Sequence, residues 1–93
     1  MLDLDLVLKL NDNIVLRGVS DKYWALNINT GSQYRLNEVS YFILNCFRTN
    51  TSVNRMLEEV MIEYRVERQR LMLDCEGILK LAMDNGIIEE VTL

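Results

Sequence analysis

Apolar and polar residues alternate along the first third of the chain and fall into helical stripes along the rest. Leu2, Leu4, Leu6, Leu8 and Leu10 are separated by Asp3, Asp5, Val7 and Lys9. Leucines at period two predict a strand, because successive side chains of a strand point to opposite faces. This strand is expected as an edge strand, an arm or part of a dimer contact, so residues 1–13 form an N-terminal extension or an extra strand. Asn11-Asp12-Asn13 is a turn cluster, and Ile14 to Val19 a second strand closed by Ser20-Asp21. Trp24, Leu26 and Ile28 then alternate with Ala25 and Asn27, which predicts a half-buried strand with Trp24, Leu26 and Ile28 on its apolar face. Asn29-Thr30-Gly31 supplies a turn, with Gly31 free to take positive φ. Gln33 to Leu36 resumes the alternation with Tyr34 and Leu36 on one face. Asn37 is placed to cap a helix whose first turn holds Glu38. All these connections are short, so neighbouring strands are expected to pair antiparallel as a meander.

From Glu38 onwards the period changes. Val39, Phe42, Ile43, Cys46 and Phe47 form one helical stripe over Glu38 to Arg48. A second helix starts at a Thr51 or Ser52 cap and runs to about Tyr64, burying Val53, Met56, Leu57, Val60, Met61 and Tyr64. A third runs from about Glu67 to Asn85 and ends on Gly86 as a left-handed cap. Ile87 to Val91 follows as a short extended tail. Leu71, Cys75, Ile78 and Ala82 lie along one line of the third helix, with Met72, Leu79 and Met83 to one side and Leu81 to the other. This apolar arc spans about 200°, and one core contact needs only about half of that. Such a helix is buried on two sides, or one flank lines a groove.

Composition narrows the function. The 93 residues make one domain. Fourteen acidic against ten basic residues give a net charge of −4, which disfavours nucleic acid. Arg65, Arg68 and Arg70 read as a solvated face. No apolar run approaches ~18 residues, and the N-terminus lacks a signal-peptide pattern, so a cytoplasmic protein is the default. Cys46 and Cys75 lie outside any CxxC pattern and read as buried thiols. There is no histidine, which removes the commonest metal ligand and the commonest general base. No phosphate-loop, dinucleotide, zinc-protease or serine-elbow motif is present. The carboxylates are scattered along polar faces, so neither catalysis nor a metal or cofactor site is expected.

The plan is α+β and winged-helix-like: an N-terminal antiparallel meander of three to four strands followed by a three-helix bundle. Such folds often bind DNA through their third helix. Its outward positions here include Gln69, Leu73, Glu76, Gly77, Lys80 and Asp84, a face more acidic than basic that would repel phosphates. The same plan leaves a sheet edge that can accept a peptide as an extra strand.

From about Ile14 to Val91 the chain resembles the PqqD-like family, peptide-binding domains also called RiPP recognition elements. The resemblance is carried by Trp24-Ala25-Leu26-Asn27, the turn glycine Gly31, and Tyr34-Arg35-Leu36-Asn37 running into a helix. It continues through the polar-capped helix from Ser52-Val53 to Tyr64, Asp74, and Asn85-Gly86-Ile87-Ile88-Glu89. It implies a function without catalysis: binding the leader segment of a ribosomally made precursor peptide and presenting it to a modifying enzyme. That partner would be a leader peptidase, a cyclase or a radical S-adenosylmethionine maturase, as in lasso-peptide or pyrroloquinoline quinone pathways. The leader would lie along Gln33, Tyr34, Arg35 and Leu36, in a cleft bordered by the third helix. For the groove wall, Met72, Cys75, Leu79 and Met83 are the favoured flank, with Arg68 one turn before Met72 available to an acidic leader residue. The Leu81 flank remains the alternative, and Met72, Leu79 and Met83 packing under the N-terminal strand is the plainer one. The expected state is a monomer or weak homodimer, and the runner-up function a winged-helix DNA-binding regulator.

Overall fold

The computed structural model describes residues 2–91. Strands β2 (Ile14–Val19), β3 (Lys22–Asn27) and β4 (Gln33–Leu36) form an antiparallel meander in the order β2-β3-β4. Ser20, at φ 57°, takes the left-handed position of the tight β2–β3 turn. At the next turn Asn27 Oδ1 accepts from the amides of Asn29 and Thr30 at 2.9 and 3.1 Å. The Gly31 amide, at φ 81°, then donates to the Asn27 carbonyl at 2.8 Å.

Which face of the meander goes inward is decided by its two outer strands. Ile14 and Leu16 pair with Asn27 and Ala25, while Tyr34 and Leu36 pair with Ala25 and Tyr23. Residues paired across a ladder share a face. The face of β3 that joins the core is therefore Tyr23, Ala25 and Asn27. Trp24, Leu26 and Ile28 point outward, the reverse of what their apolar alternation suggests, and Ile28 is 68% exposed. A slip of one residue would reverse every strand residue, so the apolar sets on β2 and β4 outvote the one on β3. Gly18 leaves room for the Tyr23 ring beside it, and Tyr23 meets Tyr41 at a centroid distance of 4.7 Å. That contact docks the first helix onto the sheet.

The helices follow the sequence pattern closely. Helix α1 spans Glu38–Asn45 and continues as a single 3-10 turn over Cys46–Arg48. Asn37 caps it, accepting from the Ser40 amide at 2.7 Å. Helix α2 spans Val53–Tyr64 and α3 spans Arg68–Asp84. Tyr64 closes α2 onto α1, donating to Glu38 Oε2 at 3.1 Å and meeting Phe42 edge-on.

The N-terminal strand behaves differently from the meander partner expected. Strand β1 covers only Val7–Leu10 and does not pair with β2. It is the middle strand of a second sheet, between β5 (Thr51–Ser52) and β6 (Ile88–Glu90). Leu8 is fully buried there. The residues before β1 leave the extended form at a turn, where Asp3 Oδ1 accepts from the Asp5 amide. Their carbonyls finish α2: Val53 and Asn54 donate to the Leu6 and Leu4 carbonyls at 2.9 and 3.0 Å, and Arg55 to Ser52 Oγ at 3.1 Å. The first amides of a helix need partners outside it, and this segment provides them. The C-terminal tail is the strand that completes the second sheet.

Candidate functional site

Among the described residues, strand β4 is paired on one side only, with β3. In an antiparallel ladder, hydrogen-bonded and non-hydrogen-bonded pairs alternate. The Asn27 amide donates to the Ser32 carbonyl at 2.9 Å, so the Ala25–Tyr34 and Tyr23–Leu36 pairs are bonded ones too. The amides and carbonyls of Gln33 and Arg35 consequently point away from β3, to the free edge. The side chains alternate in the other sense: Tyr34 and Leu36 turn inward and are half-buried, Gln33 and Arg35 outward and exposed.

Opposite this edge stands α3. Between them lies a cleft of about 420 Å³, walled by Gln33 to Asn37 on one side and by Ile78, Leu81, Ala82 and Asn85 on the other. Ser40 and Leu44 of α1 and Ile87 after α3 complete its lining. Ile78, Leu81, Ala82 and the cap residue Asn85 are spaced i, i+3, i+4 and i+7, one face of a helix. Ile78 is half-buried and Leu81 is 66% exposed, so the wall is apolar and open to solvent.

The expected site residues divide into those on this cleft and those off it. Gln33, Tyr34, Arg35 and Leu36 line it together. The expected α3 flank does not. Cys75 and Leu79 are 0% and 3% exposed and belong to the core. Met72 is half-buried beside Leu2, Gln69, Leu73 and Glu76, in a shallow hollow elsewhere on the surface. Met83 is exposed. Arg68 reaches α2, donating from Nη2 to Asn54 Oδ1 at 2.9 Å. Met72 and Met83 sit about 140° around α3 from the Ile78–Leu81 face at ~100° per residue. The cleft beside β4 is walled by the Leu81 flank of α3, with Ile78 in that wall. The sequence carried one signal for this, an apolar Leu81 on an otherwise polar side. It carried none for Leu44, which lies off the main stripe of α1.

Burial pushes the Cys46 thiol up to about 12 and the Cys75 thiol up to about 11, so both stay protonated and poorly nucleophilic. Among the described residues no group of three or more His, Cys, Asp or Glu converges as a metal site. No helix among them is long and apolar enough to cross a membrane.

The family model for Coenzyme PQQ synthesis protein D (PqqD) matches residues 16–88. The chain belongs to the PqqD family. Its matched region holds both walls of the cleft, while β1 lies before it. Two solved structures share the fold of this PqqD-family chain. "TbiB1 in complex with the TbiA(beta) leader peptide" is 20% identical with a TM-score of 0.77, over 91% of this chain and 99% of that one. "Lasso peptide synthetase B1 complexed with the leader peptide" is 20% identical with a TM-score of 0.73, over 88% and 96%. At such identity the likeness is one of fold. Among curated proteins, no sequence matches the chain.

Proposed function

We propose that this chain binds the leader segment of a ribosomally made precursor peptide as an added strand on β4, and presents the peptide to a modifying enzyme. The observation that carries the reading is the open β4 edge, with the polar backbone of Gln33 and Arg35 facing an apolar helix wall across a cleft. Family membership supports it, as does the leader peptide held by both similar structures. In this reading the chain does no chemistry itself. The reaction belongs to a partner such as a leader peptidase, a cyclase or a radical S-adenosylmethionine maturase, in the cytoplasm where the precursor is made.

Magnitudes show which part of the cleft matters most. Gln33 and Arg35 offer two donors and two acceptors, and each backbone bond is worth about 1 kcal/mol net. Ordering a flexible segment costs about 2–5 kcal/mol, which cancels that gain. Micromolar affinity needs about −8 kcal/mol. Two or three apolar leader side chains buried against Ile78, Leu81 and Ile87, at about 1.5–3 kcal/mol each, supply most of the difference. The edge fixes the register, and the apolar wall provides the affinity.

Gln33→Pro and Arg35→Pro test the edge, since each removes an amide that faces the leader. Calorimetric titration with synthetic leader peptides should show binding lost in both variants while circular dichroism stays native. If both fold and bind like the parent chain, β4 is not the docking strand. Affinity that holds as salt rises separates strand addition from nucleic-acid binding, which weakens steeply.

A further inference from the structure

Arg35 and Trp24 are direct cross-strand neighbours on the outward face of the meander. The Arg35 guanidinium carbon lies 5.4 Å from the Trp24 ring centroid, a cation–π contact that restrains a long side chain at the free edge. Arg35 is in no ion pair among the described residues, and β2, β3 and β4 contain no acidic residue. The charged residues of these three strands, Arg17, Lys22 and Arg35, are all basic, on a chain of net charge −4.

We propose that Arg35, held by Trp24, is an anion-binding subsite on the solvent side of the bound peptide. The chain then selects peptides that place a carboxylate side chain directly beside Arg35, between two apolar residues. The proposal rests on the peptide reading of the β4 edge. A strand added there bonds to the backbone of Gln33 and Arg35, and residues opposite each other across a ladder share a face. The peptide residue beside Arg35 therefore puts its side chain on the outward face, next to the guanidinium, whichever way the peptide runs. Its two neighbours point the other way, into the cleft towards Ile78, Leu81 and Ile87. With the guanidinium carbon held over the Trp24 ring, its N–H groups can meet a carboxylate in the forked geometry that arginine favours. An arginine on an edge strand also discourages edge-to-edge aggregation. That role alone creates no preference among peptides.

The test uses synthetic peptides of one alternating apolar–polar frame, with Glu, Gln or Lys at a single central outward position, titrated against the full chain by fluorescence anisotropy. The parent chain should prefer Glu over Gln about threefold and over Lys about tenfold, the range of a well-placed exposed ion pair. Arg35→Gln should flatten the series and Arg35→Glu should invert it. Trp24→Phe should keep the preference, whereas Trp24→Leu should reduce it, as expected of a positioning residue. Arg55→Glu is the control: it makes the same charge change on α2, away from the meander, and should leave the ratios unchanged. Salt of about 500 mM should compress the ratios. Peptides that bind equally whatever their central charge, or ratios identical in the parent and Arg35→Gln, overturn the subsite and leave the edge reading standing. A series in which no peptide binds overturns the edge reading, and the subsite with it.

Discussion

The Ile87 amide donates to the Ala82 carbonyl at 2.8 Å, folding the chain back across the end of α3. The Gly86 amide donates to the Met83 carbonyl at 3.1 Å, and Gly86 holds φ 71°. These two bonds form a Schellman cap with its usual apolar contact, here between buried Ala82 and buried Ile87. The cap does two jobs. It lines the cleft with both residues and aims Ile88–Glu90 at β1. An added Cβ at Gly86 meets nothing within 4 Å, so Gly86→Ala changes only backbone conformational cost. It should lower stability by about 1–2 kcal/mol in urea denaturation, and Gly86→Asn by less.

Leu8 gives the N-terminal strand an equally specific role. It is fully buried at the middle of the second sheet, among side chains that include those of β5 and β6. Leu8→Ala should cost about 2–5 kcal/mol, read from chemical denaturation. The loss should not depend on protein concentration, because the strand is buried within the chain rather than in a contact between copies. A Leu8→Ala stability loss that disappears on dilution would restore the dimer-contact reading.

Buried thiols make stability depend on pH on the alkaline side. Burial raises Cys75 from its ordinary 9.0 to about 11, with the nearby Asp74 carboxylate adding to the shift. The unfolded chain loses this proton near pH 9 while the folded chain retains it, so the folded state binds more protons in between. Stability from this group is complete below pH 9 and falls as pH rises from about 9 to 11. A Cys75→Ala variant should lose less stability across that window than the parent, although it starts lower for want of the buried sulfur. In the native chain at pH 8, Cys75 should react with a thiol reagent only as fast as the protein opens.

Local signals were the most legible part of the fold. Asn37, Ser52, Gly31 and Gly86 each announce a cap or turn through their own chemistry, and each occupies the place expected. The sense of β3 and the partners of β1 were harder to read, for a common reason. Both depend on pairings between distant segments: Leu8 with Thr51 and Glu90, and Ala25 with Leu16 and Tyr34. Period-two alternation says that a strand has two faces and leaves open which one is covered. Trp24, Leu26 and Ile28 are apolar on the exposed side, so hydrophobicity alone points the wrong way. The site divides along the same line. The strand Gln33 to Leu36 follows from local pattern and its candidate role from the family resemblance, while the helix wall of the cleft depends on how α3 is rotated against the sheet.

That rotation gives the most direct contrast between neighbouring residues. Leu79 and Leu81 are identical in chemistry and two positions apart on α3, so at ~100° per residue they point about 160° away from each other. Leu79 is 3% exposed and Leu81 66%. Leu79→Asp puts a charge into the core without a partner, which should cost more than about 3 kcal/mol and be read as a large fall in melting temperature. Leu81→Asp leaves the charge in water, so stability should change by less than about 0.5 kcal/mol. Binding should respond in the opposite order. Leu81→Asp removes an apolar wall residue from the cleft and should weaken a leader peptide by about 1.5–3 kcal/mol, tenfold or more. Arg68→Ala, whose side chain is engaged with Asn54 on α2, should leave peptide affinity unchanged. Paired denaturation and titration of these variants decides the face: if Leu81→Asp binds normally while Arg68→Ala does not, the peptide lies on the methionine side of α3.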